Sequence, residues 1–346
     1  MNALLTQFQI IKAQEPKLRF VDVANKMGIS EAELMAAHVG ETDVVQLDNS
    51  QIADMLKSFK KLNHVMALTR NKSVVNELKG AYEKLYVSEH GNSKMAMAIN
   101  PKGLDLRIFL DKWCFAFAQK TDKLNSVQFF DHHGRAVHKV YTTPKSDLKA
   151  FDDIVERFTL AEQSSAIEVQ PYQAPENVEV ADDEIAVTDF QQAWADLQDV
   201  HHFPGMLKKF NVSRTQALRL AGSQWVTPVS SQCLPTILEN ARDHKVELMA
   251  FVGNEGMIQI FSGQVHKLKQ MGEWYNVLDS DFNLHAKLDE FDNAYIVRKP
   301  TDKGTVVVSS VEFFNKQGET ILTLFGYRQE GKASAADWDN LLTKIS

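Results

Sequence analysis

The sequence predicts an α+β protein made by tandem duplication, each copy running from N-terminal helices through an antiparallel sheet meander to a closing helix. Three observations predict it. Ser126-Val-Gln-Phe-Phe-Asp-His-His-Gly-Arg-Ala-Val-His-Lys-Val-Tyr141 returns as Ser310-Val-Glu-Phe-Phe-Asn-Lys-Gln-Gly-Glu-Thr-Ile-Leu-Thr-Leu-Phe325, displaced by 184 residues. His64-Val-Met-Ala-Leu-Thr-Arg-Asn-Lys-Ser-Val-Val-Asn-Glu-Leu-Lys-Gly80 returns as Glu247-Leu-Met-Ala-Phe-Val-Gly-Asn-Glu-Gly-Met-Ile-Gln-Ile-Phe-Ser-Gly263, displaced by 183. Met27-Gly-Ile-Ser-Glu-Ala-Glu-Leu34 aligns with Phe210-Asn-Val-Ser-Arg-Thr-Gln-Ala217, again at 183. Blocks at nearly one offset mark a duplication. Positions where the copies agree then serve the fold, and positions where one copy departs are where function is to be sought.

Each copy opens as helix, tight turn, helix. Arg19 to Met27 and Phe203 to Phe210 run into Gly28 and Asn211, and Ser30 with Glu33, like Ser213 with Gln216, has the spacing of a capping box. Further on, the period changes. Ser93-Lys-Met-Ala-Met-Ala-Ile99 and Leu104-Asp-Leu-Arg-Ile-Phe-Leu110 alternate or run apolar over strand lengths, and Asp131-His-His-Gly134 and Asn315-Lys-Gln-Gly318 are turns between strand-like runs. Ser146 to Thr159 and Ala335 to Ile345 are the expected closing helices. Between a first repeat at 1–160 and a second at 189–346, residues 161–188 read as a linker, with Pro171, Pro175 and the acidic run Asp182, Asp183, Glu184. A helix beginning near Asp189 would place Phe190, Trp194, Leu197 and His201 on one face and end at Pro204-Gly205.

Composition narrows the function. With 346 residues and 44% hydrophobic residues the chain is long enough for two packed domains. A net charge of -7 argues against a general polyanion binder, so no nucleic-acid partner is expected. No apolar run reaches the length of a membrane span, and the start lacks a basic leader and cleavage site, so a cytoplasmic location is expected. Cys114 and Cys233 have no partner at metal-ligand spacing and read as reduced, buried thiols. Glycine-rich phosphate loops, zinc-protease motifs and nucleophile elbows are absent from the sequence. The helix-turn-helix spacing is no DNA reader, because its second helix in the first copy is acidic.

Three departures between the copies carry chemistry. Arg214 follows the N-cap Ser213, where the first copy has the electrostatically preferred Glu31. A guanidinium there suits a ligand carboxylate or phosphate, and it equally suits a nearby acid. His201 stands where the first copy has Leu18. On an apolar wall it is either an iron or other metal ligand or a core histidine bonded to a carbonyl. Arg107 projects from its strand with Asp105 and Phe109; its counterpart, at an offset of 178, is His285. Arg298-Lys299-Pro300 and Tyr327-Arg328-Gln329 add a basic group peculiar to the second copy, which suggests a dianionic ligand. His132, His133 and His138 are decoys, the first two read as exposed turn residues, and Met66, Met95 and Met97 read as core packing.

Asp199-Val-His-His-Phe203, Val212-Ser-Arg-Thr-Gln-Ala-Leu-Arg-Leu220, Phe251-Val-Gly-Asn-Glu-Gly256, Arg298-Lys-Pro-Thr301 and Gly326-Tyr-Arg-Gln-Glu-Gly331 resemble the bacterial cytoplasmic haemin-degrading and haemin-transport proteins of the HemS, HmuS and ChuS type. In the first copy Ile29-Ser-Glu-Ala-Glu-Leu34, Ala36-Ala-His-Val-Gly-Glu41, Val65-Met-Ala-Leu-Thr-Arg-Asn71 and Asp105-Leu-Arg-Ile-Phe109 agree. The resemblance implies haem, iron protoporphyrin IX, held mainly by the second half. His201 would be the axial ligand and a catalytic residue, Arg107 a catalytic residue over the distal face with Phe109 beside it. Arg214 would take a propionate, and Lys299, Tyr327 and Arg328 would line the rim. Asn76 stands where relatives often carry His, and Phe325 where Tyr is expected. The implied activity is ring opening that releases iron, oxygen-dependent or reductive, with electrons from outside. The other reading is a carrier that hands haem to a separate haem oxygenase. Candidate partners are haem, a haem importer, a reductase, a haem oxygenase and a second copy of the chain, with no membrane insertion.

Overall fold

The computed structural model describes residues 2–90, 93–121, 124–173, 179–328 and 336–345. The chain forms two units, one of Met1–Arg70, Asn76–Gln173 and Gly253–Gln259, the other of Asn71–Val75, Ala174–Val252 and Ile260–Ser346. The chain passes from one unit to the other at Arg70/Asn71, Val75/Asn76, Gln173/Ala174, Val252/Gly253 and Gln259/Ile260, so residues 161–188, expected as a linker, are divided between the two. Pro175 of that linker and Ala335 of the expected last helix lie outside the described residues.

The first copy runs α1 (Ala3–Gln14), α2 (Phe20–Met27), α3 (Glu31–Ala37), β1 (Val44–Leu47), α4 (Ile52–Ser58), β2 (Asn63–Arg70), β3 (Val74–Gly80), β4 (Leu85–His90), β5 (Ser93–Ala98), β6 (Asp105–Phe109), β7 (Phe115–Gln119), β8 (Ser126–Phe130), β9 (Ala136–Ser146) and α5 (Leu148–Phe158). Strands β1, β7, β8, β9 and β2 pair in that order, all antiparallel. Strands β4, β5 and β6 form an antiparallel meander.

The second copy runs α6 (Val187–Ala195), α7 (Phe203–Phe210), α8 (Arg214–Leu220), β10 (Val226–Val229), α9 (Leu234–Asp243), β11 (Leu248–Gly253), β12 (Met257–Gly263), β13 (Leu268–Met271), β14 (Trp274–Leu278), β15 (Phe282–Lys287), β16 (Asn293–Thr301), β17 (Val306–Phe314), β18 (Thr320–Gly326) and α10 (Ala336–Leu342). Its order β10, β16, β17, β18, β11 and its meander β13, β14, β15 repeat the first copy strand for strand. The α+β duplication is therefore the architecture.

Local chemistry explains the shared elements. Both opening turns need a left-handed residue, supplied by Gly28 at φ 69° and Asn211 at φ 53°. Ser30 accepts from the Glu33 amide at 3.2 Å while its own amide donates to Glu33 Oε2 at 2.8 Å, completing the capping box. In the second copy only half of the box forms. Ser213 accepts from the Gln216 amide at 3.0 Å, but the Gln216 side chain donates to Val180 O and Asp182. Gly134, at φ 71°, closes the β8–β9 hairpin against the α3 N-cap, where a Cβ would lie 2.2 Å from Ser30 Oγ.

One helix differs from expectation. The periodicity of Phe190, Trp194, Leu197 and His201 predicts a single helix ending at Pro204-Gly205, but α6 stops at Ala195. His201 lies instead in a short 3-10 turn, Val200–His202, and Pro204 stands in the first turn of α7. Proline lacks an amide that the first turn leaves unpaired in any case, so it begins this helix rather than ending the last. Phe190, Trp194 and Leu197 still share a core with Phe203, Met206 and Val297.

The first unit buries two polar groups worth following. Glu31, which opens α3, is buried and ion-paired with Lys139 of β9 and, at 2.7 Å, with Arg70 of β2. Burial alone would raise its pKa, but the two cations hold it below the ordinary carboxylate value. His138 is fully buried, with Nδ1 3.0 Å from Thr69 Oγ1 and Nε2 bonded to Tyr82 Oη. Burial drives its pKa down to about 3, so it stays neutral. Cys233 is buried as expected, whereas Cys114 is half-exposed; both are free thiols. Among the described residues no helix is long and apolar enough to cross a membrane.

Two outcomes follow. Glu31→Gln leaves Lys139 buried without its counter-charge and should cost about 3–5 kcal/mol in urea unfolding; a loss below 1 kcal/mol would show the pair is dispensable. Native His138 binds no proton between its unfolded pKa of about 6.5 and its folded value near 3, while the unfolded chain does. Stability should therefore fall as pH drops through that window, by about 1.4 kcal/mol per unit from this group. Unfolding midpoints in His138→Gln should lack that component of the slope.

Candidate functional site

The second unit presents His201 on its 3-10 turn with the side chain 82% exposed. It is neither on the α6 face nor in the core. Asp199 caps the turn, its Oδ1 accepting from the His201 amide at 2.8 Å and from ring Nδ1 at 2.6 Å. These bonds, the backbone one foremost, hold the Asp199 carboxyl below its ordinary pKa. A carboxylate accepting from Nδ1 places the ring proton there and leaves the Nε2 lone pair outward. A single imidazole in this state is a ready ligand for an iron that brings its other ligands with it.

Arg214 does hold an anion, and that anion is internal. Its Nε and Nη2 contact Glu312 Oε2 of β17 at 2.9 and 2.8 Å, while its side chain keeps 32% exposure and Glu312 has none. Lys299 of β16 is also buried, with Nζ 2.6 Å from Glu312 Oε1. Burial would raise the Glu312 pKa, but the two cations bring it to about 2. Phe203, next to the two histidines in the chain, lies beneath both cations, 5.2 Å from Arg214 and 4.5 Å from Lys299. Trp194 meets the same ring edge-on at 4.9 Å. The α8 N-terminus is occupied too, since Ser213 Oγ donates to Glu179 at 2.6 Å.

The remaining sequence-predicted residues are distributed as follows. Tyr327 and Arg328 follow β18 and are half-buried, the Tyr327 amide donating to Glu247 O at 3.0 Å. Gln329, Glu330 and Gly331 of their motif lie outside the described residues. In the first unit, Arg107 and Phe109 share one half-buried face of β6, and Arg107 pairs with buried Asp105. Strand register sets Met97 opposite Arg107 and Met95 opposite Phe109. These methionines are half-exposed, as is Met66, so none of the three belongs to the buried core. Two-residue alternation turned Met95 and Met97 to the face of Arg107, while Ala96 and Ala98 took the buried side. His132 and His133 are half-buried rather than exposed, His133 Nδ1 lying 2.9 Å from Gln170 O.

Sequence reasoning missed Asp199, Glu312 and the role of Phe203. Two signals were available: Asp199 stands two residues before His201, and Glu312 replaces Gln128 at the repeat offset. A separate polar cavity of about 530 Å³ beside α8 is lined by Thr215, Arg219, Tyr295, Asn315 and Gln317 and includes no residue expected at the site. Its Arg219 is already engaged by Glu179 and Asp182.

Comparison with known proteins gives the family. The family model of the haemin-degrading HemS.ChuX domain matches twice, over residues 28–158 and 211–345. The hemin transport protein HmuS of Yersinia pestis is 36% identical over 100% of this chain and 98% of its own length. Apo-PhuS, a heme-binding protein from Pseudomonas aeruginosa, superposes with a TM-score of 0.94 at 38% identity, covering 100% of this chain and 99% of that one. The heme-degrading enzyme ChuS of Escherichia coli O157:H7 has a TM-score of 0.89 at 32% identity, covering 99% and 98%. With the domain present in both copies and relatives spanning its whole length, this chain belongs to the haemin-degrading HemS/ChuX family.

Proposed function

We propose that the protein binds haem through His201 Nε2 and degrades it to release iron. The His201–Asp199 pair carries the reading: an exposed imidazole whose other nitrogen is bound by a carboxylate. Such an arrangement fixes the tautomer and raises the basicity of the free nitrogen. Arg214 is the propionate partner. Lys299, buried against Glu312, acts through its charge, and Tyr327 and Arg328 extend the polar rim. The family resemblance gives Arg107 and Phe109 a part in handling haem, Arg107 as the group that would order water or polarise a reactant. The iron porphyrin supplies the redox chemistry of ring opening, and an external reductant supplies electrons. ChuS is described as a heme oxygenase and HmuS as a transport protein, which keeps the carrier reading in view.

Titrating the protein with ferric haem should give a saturable Soret shift, and His201→Ala should weaken binding at least tenfold. Unaltered binding in that variant removes the ligand assignment. With ascorbate, aerobically and anaerobically, the Soret band should decay and the freed iron should colour a ferrous chelator. A band that persists under both conditions makes the protein a carrier.

Asp199→Asn keeps the imidazole but exchanges its carboxylate partner for an amide. Haem affinity should fall about 10–100-fold, the usual effect of losing such a partner. Wild-type affinity in this variant would show that the Asp199 bond only shapes the turn.

A further inference from the structure

Among the described residues Glu312 is the most deeply buried charge of the second unit, and it has no part in the ligand set expected from the sequence. It faces Arg214 from α8, Lys299 from β16, and Ser310, whose Oγ donates to it at 3.4 Å. The contacts on Arg214 are one-sided. Nε and Nη2 are taken up by Glu312, whereas Nη1 has no hydrogen-bond partner among the described residues and the side chain stays partly exposed. A guanidinium carries five donors in a rigid plane, so clamping one edge fixes the direction of the other. Phe203 supports the guanidinium and the ammonium from the ring side, so neither cation is held by Glu312 alone. Two cations against one carboxylate (2 − 1) leave one positive charge uncompensated.

We propose that Glu312 is a positioning residue for ligand recognition, clamping the Nε/Nη2 edge of Arg214 so that Nη1 is presented to one ligand carboxylate, with Lys299 held alongside as the balancing charge. The proposal rests on haem being the ligand and goes beyond it. It makes the carboxylate, rather than the ring or the iron, the part of the ligand that Glu312 senses. If Glu312 served only to neutralise buried cations, its loss would affect every ligand alike.

The test compares haem with haem dimethyl ester, which keeps the iron and ring but lacks free carboxylates. Soret titrations on the full chain would use wild type, Glu312→Gln, Arg214→Ala and the double variant. Glu312→Gln should lose about tenfold in haem affinity and leave diester affinity unchanged. Arg214→Ala should show the same pattern, and the double variant should lose no more than Arg214→Ala alone. Equal losses for both ligands, or additive losses in the double variant, overturn the proposal. Should Glu312→Gln fail to fold, Glu312→Asp carries the test. Its shorter carboxylate retains the charge but moves the clamp, so a wild-type ratio of haem to diester affinity would be equally fatal. A wild type that binds neither compound would instead refute the haem reading itself, and a His201→Ala variant that binds both normally would remove only the axial-ligand assignment.

Discussion

Burying a carboxylate is costly unless cations replace the water it loses, and each copy of this fold buries one at the joint between a capped helix and the sheet. In the first copy the acid is Glu31, on the helix, and the cations Lys139 and Arg70 come from strands. In the second the polarity is reversed: Arg214 occupies the helix position, and the acid, Glu312, is on a strand with Lys299 from its neighbour. Each arrangement has two cations for one acid. Packing around the helix start can stay similar because an ion pair still bridges helix and sheet whichever side supplies which charge.

That reversal changes what the helix start can recognise. A carboxylate fixed on the helix, as at Glu31, repels an incoming anion. A guanidinium held by one edge, as at Arg214, keeps donors for another carboxylate. The same cations rest on Phe203, which continues directly into the turn bearing His201. The elements expected to meet iron and carboxylate are thus packed on one buried aromatic ring, itself backed by Trp194. Support of this sort limits how far the exposed His201 can move.

Much of the scaffold was legible because it rests on short-range rules. Gly28 and Asn211, Ser30 and Ser213, and the turns at Gly134 and Gly318 can be read from neighbours a few residues away, and they form as expected except for the Gln216 half of the second capping box. The surroundings of the site residues were less legible. Helical spacing placed His201 on the Trp194 face, but Pro204 began a new helix and freed the histidine from the core. The Arg214 partner is 98 positions away in the chain, beyond any local pattern. Met95 and Met97 looked like core because strand alternation does not say which face is buried.

The sequence by itself determined the duplication, the α+β order of elements, the capped helix starts and the positions where the copies part company. These depend on periodicity and backbone preference, which act within a few residues. Only the tertiary structure decided that Arg214 is shared with Glu312, that Asp199 sets the tautomer of an exposed His201, and that Glu31 is answered by Lys139 and Arg70. The two ion pairs depend on groups brought together by sheet register and helix packing, and on burial that strengthens their electrostatics, neither of which a linear pattern contains; the Asp199 contact is local and exposed, and depends on the short turn that replaces the expected helix.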